Sequence, residues 1–211
     1  MNRERRHVSL KILTAYASRE IEAGRLRERE LLRKATNASP LHHGFKHVIH
    51  LSHEFAFRSF VGQHICFVTD VLSYNVPTLQ KELDDPRLPL ELILRLTKHV
   101  LKGLEYLHDE CRMIHSGMFC APLIVDIGRP NHLTDLKPGN ILMLPSDLDA
   151  VVRYELSEQP ATLFGFSKET PRQYLPFHPI RSTPLIFGLG GSPDAFHWVI
   201  ADLGHGALTR C

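Results

Sequence analysis

The chain has 211 residues, with 25 Lys and Arg against 23 Asp and Glu and 43% hydrophobic residues. This is ordinary globular composition, and a formal net charge of +2 speaks against direct binding to nucleic acid or to an anionic membrane surface. The four cysteines, Cys66, Cys111, Cys120 and Cys211, form no C-x-x-C pair, so a disulfide framework and a zinc finger are excluded and free thiols are expected.

The N-terminus, Asn2 to Arg6, is charged and leads into no apolar run, so it does not read as a signal peptide. Residues 7–13 (HVSLKIL) predict a short strand carrying one lysine, Lys11. Residues 18–35 predict a charged helix with Ile21, Leu31 and Leu32 on its apolar side and Gly24 weakening it. Residues 46–58 and 64–72 predict two strands around a turn near Gly62. Residues 89–109 predict a long helix whose apolar face is Leu90, Ile93, Leu94, Val100, Leu101, Leu104 and Leu107. Glu91, Arg95, Lys98 and Lys102 lie within it and exclude a membrane span. CRMIH (111–115) predicts a strand, 134–143 a loop entering a strand, and 197–204 a strand ending in an acidic loop. Residues 116–133 fit nothing around them, and 144–195, rich in Pro, Ser and Gly, read as a surface insertion.

The chemistry concentrates in TDLKPGNIL. Phosphoryl transfer needs a carboxylate to orient a hydroxyl and take its proton, a cation near the moving phosphate, and oxygen ligands for magnesium. Asp135, Lys137 and Asn140 can take those roles in that order. Asp202, at the end of an apolar run and before Leu-Gly, can reach a magnesium ion. Lys11 inside an apolar strand requires a charge partner. Glu28 is the expected one, with Glu30 as the alternative. His42, His43, His47, His50 and His53 lack accompanying cysteines and are read as structural, His99 and His108 as surface or capping residues, and Trp198 as core.

Taken together, the strand lysine, helix glutamate, HICFVTDVL, long helix, YLHDECRMIH, TDLKPGNILM and IADLG resemble the eukaryotic-type protein kinase superfamily. The hinge-like HICFVTDVL, the threonine before the aspartate (Thr134-Asp135) and Asp-Leu-Gly preceded by Ile-Ala make the chain similar to the SR-protein kinase (SRPK) family within it.

The resemblance implies an α+β, protein-kinase-like fold in part. An incomplete small lobe would run to the hinge (1–72), followed by part of a large lobe (73–211). It implies ATP and Mg2+ as cofactors, with Lys11, Glu28, Thr69, Asp70 and Leu72 at the nucleotide, Asp135 and Lys137 in catalysis, and Asn140 and Asp202 on the metal. The implied partner is a protein substrate, Arg-Ser-rich splicing factors for that family, in cytoplasm or nucleus. No glycine-rich loop precedes the Lys11 strand, and the chain stops nine residues after Asp202. A non-catalytic, pseudokinase-like binding module is therefore the alternative expectation. Removing 116–133 would join MIH to TDLKPGNILM, so this segment is read as a retained short intron.

Overall fold

The computed structural model describes residues 7–114, 136–145, 147–158, 196–203 and 207–208. Thr134, Asp135, the 116–133 segment and residues 159–195 of the expected surface insertion lie outside the described residues.

A three-stranded antiparallel sheet is built from β1 (Ser9–Ile12), β2 (Leu51–Ser59) and β3 (Gly62–Thr69), in the order β1-β3-β2. The centre goes to β3 because its second half, Ile65–Thr69, is buried throughout, as a run of apolar residues without alternation requires. Between β1 and β2 lie α1 (Ala15–Glu22) and α2 (Glu28–Asn37). The single helix expected over 18–35 is thus two. Gly24 adopts φ +71° with nothing within 4 Å of a would-be Cβ, so its role is conformational: a left-handed residue that glycine enters without strain ends α1. Thr14 starts that helix by accepting from the Ala17 N–H at 3.1 Å, a regular N-cap.

The strand expected from 46 begins later. A 3-10 turn at Phe45–His47 precedes it. A short helix, α3 (Val76–Glu82), follows β3, capped by Asn75. The long helix is α4 (Leu90–Glu105), continued by a π-type turn through Tyr106–Glu110. Its inward face matches the expectation only in part, at Val100, Leu104 and Leu107. Leu92, Gly103 and Leu104 are buried on it, with Leu96 and Val100 packed beside the core. Leu90, Leu94 and Leu101 are at least 60% exposed. The helix carries apolar residues on two faces, and the true seam runs through a histidine and a glycine that hydrophobicity does not flag. At Gly103 an added Cβ would stand 2.8 Å from the His47 carbonyl and 2.9 Å from Ile200 Cδ1, so α4 lies directly against the 3-10 turn and the strand beyond it.

Two short pairings complete the described fold. Strand β4 (Met113–Ile114) pairs with β7 (Ala207–Leu208), and β5 (Ile141–Leu144) with β6 (His197–Ile200). Between β5 and β6, Asp147 opens α5 (Leu148–Glu158) by accepting from the Ala150 N–H at 2.9 Å. The stretch expected to be a plain surface insertion therefore begins with a helix whose Val151 is buried. Strand β6 ties the parts together. Ile200 belongs to the core formed by Leu31, Leu32, Ala35, Ile65, Phe67 and Leu107. Trp198, 1% exposed, belongs to a second core with Tyr74, Leu79, Leu92 and Met143. Tyr106 donates its hydroxyl to the Ala35 carbonyl at 2.7 Å and so joins α2 to the end of α4. Cys66 and Cys111 are buried free thiols, and burial raises both above the usual thiol range. Among the described residues no helix is long and apolar enough to cross a membrane.

Candidate functional site

Strand β1 places Lys11 opposite Phe67, and Ser9 opposite Thr69, on the antiparallel ladder. With side chains alternating along a strand, Ser9, Lys11, Phe67 and Thr69 share one face. Helix α2 lies across that face and offers Glu28 from its first turn and Leu32 one turn later. From the far side come Ala201, Asp202 and Leu203, immediately after β6. All of these residues, with Ile49, Asp70, Leu72 and Leu142, line a single cavity of about 270 Å3.

The charged end of this cavity is a three-residue cluster. Lys11 Nζ is ion-paired with Glu28 Oε1 and stands 3.7 Å from Asp202 Oδ1. Glu30 is taken up by Arg27, at 2.8 Å, so of the two glutamates considered it is Glu28 that meets Lys11. Side-chain exposures of 50% for Lys11, 14% for Glu28 and 43% for Asp202 leave two of the three open to solvent. The strand lysine is therefore half-exposed rather than buried, because β1 is exposed along its length.

Asp202 adopts φ +57°. Aspartate is one of the few non-glycine residues that enter this region readily, and such conformations gather at functional sites. The expected turn glycine, Gly204, lies outside the described residues; within them the sharp turn is made by Asp202 itself. Only the backbone reveals this.

The apolar lining of the cavity comes from Phe67, Ile49, Leu32, Leu142 and Leu72. Thr69 is buried there and its hydroxyl donates to the Asp70 carbonyl at 3.2 Å. The chain leaving Asp70 is pinned to β5, since Ser73 N–H donates to the Met143 carbonyl and Met143 N–H to the Tyr74 carbonyl, both at 2.8 Å.

Lys137 and Asn140 are not among the lining residues. Lys137 is exposed at the start of a 3-10 turn over Pro138–Asn140. Asn140 N–H donates to the Lys137 carbonyl, and the Asn140 carbonyl accepts from Ala201 N–H, each at 2.8 Å. The turn is thereby fastened to the residue before Asp202. The geometry brings together Lys11, Glu28, Thr69, Asp70, Leu72 and Asp202, and sets Lys137 and Asn140 beside them. Asp135 lies outside the described residues. Chemically, the cavity offers apolar walls for a flat ring at one end and a cation with a carboxylate at the other, where a phosphate and a divalent ion can be balanced.

No protein-family model matches the chain. Individual relatives do. It is 31% identical over 159 residues to protein kinase dsk1 of Schizosaccharomyces pombe, a match covering 75% of this chain and 25% of that protein. It is 29% identical over 110 residues to the serine/threonine-protein kinase SKY1 of Saccharomyces cerevisiae, covering 52% and 12%. It is 31% identical over 143 residues to the serine/threonine-protein kinase spk-1 of Caenorhabditis elegans, covering 68% and 12%. The matched part of the chain thus spans a quarter or less of these relatives' length. These matches identify a eukaryotic-type protein kinase sequence. More narrowly, the chain is an SRPK-like serine/threonine kinase sequence.

Proposed function

We propose that this chain carries the nucleotide cleft and metal-binding edge of a serine/threonine protein kinase. In this reading residues 7–72 are the small-lobe side and the residues from 73 onward the large-lobe side. The observation that carries it is the Lys11 ammonium held between Glu28 and Asp202 at the mouth of an apolar cavity that ends at Thr69–Leu72. About 270 Å3 is just below the usual range for ligand pockets, roughly 300–1,000 Å3, and suits a planar base with its charged tail at the mouth.

Each residue then has a defined task. Leu32, Ile49, Phe67 and Leu142 exclude water from the base. Backbone groups of Asp70 to Leu72 orient it, beside Thr69. Glu28 fixes the Lys11 side chain so that its charge faces the phosphates. Asp202 and Asn140 would hold Mg2+, which neutralises the phosphate oxygens when bound. Asp135 would accept the hydroxyl proton of the substrate, with Lys137 alongside. The similarity to SRPK-type kinases supports serines in Arg-Ser-rich proteins as the substrate class and cytoplasm or nucleus as the location.

A thermal melt of the purified chain with ATP and Mg2+ tests the cleft. Ligand at 100 times its Kd should stabilise the fold by about 2.7 kcal/mol, and Lys11→Met or Asp202→Ala should abolish most of that shift. Transfer of labelled phosphate to an Arg-Ser peptide, lost in Asp135→Asn while the melt shift stays, would establish catalysis. A nucleotide shift without transfer would leave a non-catalytic binding module. No shift in the wild-type chain would reject the cleft assignment.

A further inference from the structure

Strand β6 has a second end, away from the cleft. There His197 meets His47 from the 3-10 turn and His99 from α4. One ring nitrogen from each of these three residues lies within 4.8 Å of the other two. The rings are close: His47 and His99 centroids are 4.3 Å apart, His47 and His197 4.5 Å, His99 and His197 5.1 Å. They come from positions 47, 99 and 197, so no local motif announces them.

Hydrogen bonds assign the nitrogen that carries the proton in each ring. His47 Nδ1 faces the Trp198 carbonyl at 3.2 Å and therefore carries the proton, leaving Nε2 as a lone pair. That Nε2 is buried, in a residue 1% exposed, and among the described residues has no hydrogen-bond partner. His197 Nε2 faces the Lys46 carbonyl at 2.7 Å, which makes it a donor and leaves the Nδ1 lone pair. His99 Nδ1 accepts from Trp198 N–H at 3.2 Å, a long bond that can be exchanged. A buried acceptor without a donor is costly, and backbone carbonyls that hold the distal N–H of an imidazole are the usual outer support of metal-ligating histidines. Burial also keeps the rings neutral: His47 is pushed down to about 4 and His99 to about 3, with His197 lowered as well. Neutral imidazole is the ligating form.

We propose that His47, His99 and His197 form a three-histidine site for a divalent transition-metal ion of the zinc class, with a fourth position open. Three imidazoles without thiolates suit zinc, and three protein ligands leave one place for water or an anion. Zn–N bonds of about 2.0–2.1 Å require the three lone pairs to converge, so the stacked rings tilt on binding. His197 also lines a neighbouring cavity of about 350 Å3 with Phe45, Lys46, Leu144 and Val199, which gives an entry path and room for the fourth ligand. Lys46, Arg95 and Lys102 lie near enough to act electrostatically on these histidines; their charge opposes a dication and favours an anion in that fourth position. The site sits where the 3-10 turn, α4 and β6 meet, so a bound ion would clasp three elements far apart in sequence. It is independent of the nucleotide reading, because none of the three histidines lines the cleft.

The test uses the whole chain, stripped with a chelator, desalted and titrated with Zn2+ alone against a chromophoric competitor. Bound zinc is counted by mass spectrometry, and folding of every variant is checked by circular dichroism. One zinc per chain and a raised Tm are expected. His99→Gln and His197→Asn, in the two less buried rings, should each weaken binding by about 100-fold, the upper range for loss of even an outer-shell partner. His43→Ala probes the exposed group of His42, His43 and Glu105 and should leave binding unchanged. The proposal falls if the folded wild-type chain retains no zinc. It also falls if zinc survives both His99→Gln and His197→Asn. Should a variant unfold, Co2+ bound to the wild-type chain decides: an intense visible spectrum of tetrahedral nitrogen ligation supports the site, and its absence overturns it.

Discussion

The two ends of β6 face different worlds. At its C-terminal end, Asp202 joins Lys11 and Glu28 in an open cleft, where charges are paired but partly hydrated. At its N-terminal end, Trp198 and three histidines are packed between α4 and the 3-10 turn, and burial keeps the rings neutral. A handful of residues of one strand thus spans an open, charged site and a more enclosed, neutral one. The difference teaches that charge near water adds little to folding, whereas packing away from water carries most of it.

Substitutions can break or sharpen this contrast. The largest expected effect is Trp198→Ala, which removes the largest fully buried side chain of the described residues and should cost about 3–5 kcal/mol, read as a lowered urea midpoint. Gly103→Ala tests the close approach of α4 to the His47 carbonyl; overpacking there should cost about 1–3 kcal/mol in the same measurement. Tyr106→Phe removes the hydroxyl that donates to the Ala35 carbonyl and accepts from the Ser39 N–H at 3.3 Å, at a cost of about 1–3 kcal/mol. At the wet end, Lys11→Ala should shift stability by less than about 1 kcal/mol while removing the nucleotide-dependent rise in Tm. A loss at Lys11 as large as that at Trp198 would erase the distinction between the two ends.

Much of this was legible in the residues. Lys11, HICFVTDVL and IADLG fixed the strands β1, β3 and β6 to within a few positions, because apolar β-branched runs bounded by polar turns have few other solutions. The contact of Lys11 with Glu28, the expected partner, is present, and Glu30 is taken by Arg27; what the residues did not reveal is the break at Gly24 that divides the expected helix and lets α2 begin at Glu28. The face of α4 was misjudged in part, for a physical reason. Val100, Leu104 and Leu107 of the expected face do reach the core, but Leu90, Ile93, Leu94 and Leu101 stay exposed, while His99 and Gly103, which hydrophobicity does not flag, make the close contacts. His99, read as a surface residue, is half-buried and stacked on His47. That cluster was invisible because its members are distant in sequence. Helices α3 and α5 were also missed; each is short or sits in Pro- and Ser-rich surroundings, where capping by Asn75 and Asp147 outweighs weak periodicity.

The backbone of Asp202, with φ +57°, has a practical consequence for anyone who mutates it. Alanine at that position changes two properties together, because it deletes the negative oxygen and also resists the left-handed twist by roughly 1–2 kcal/mol. Asparagine tolerates the twist and lacks only the charge. Comparing Asp202→Asn with Asp202→Ala therefore separates what the bend needs from what an ion would need.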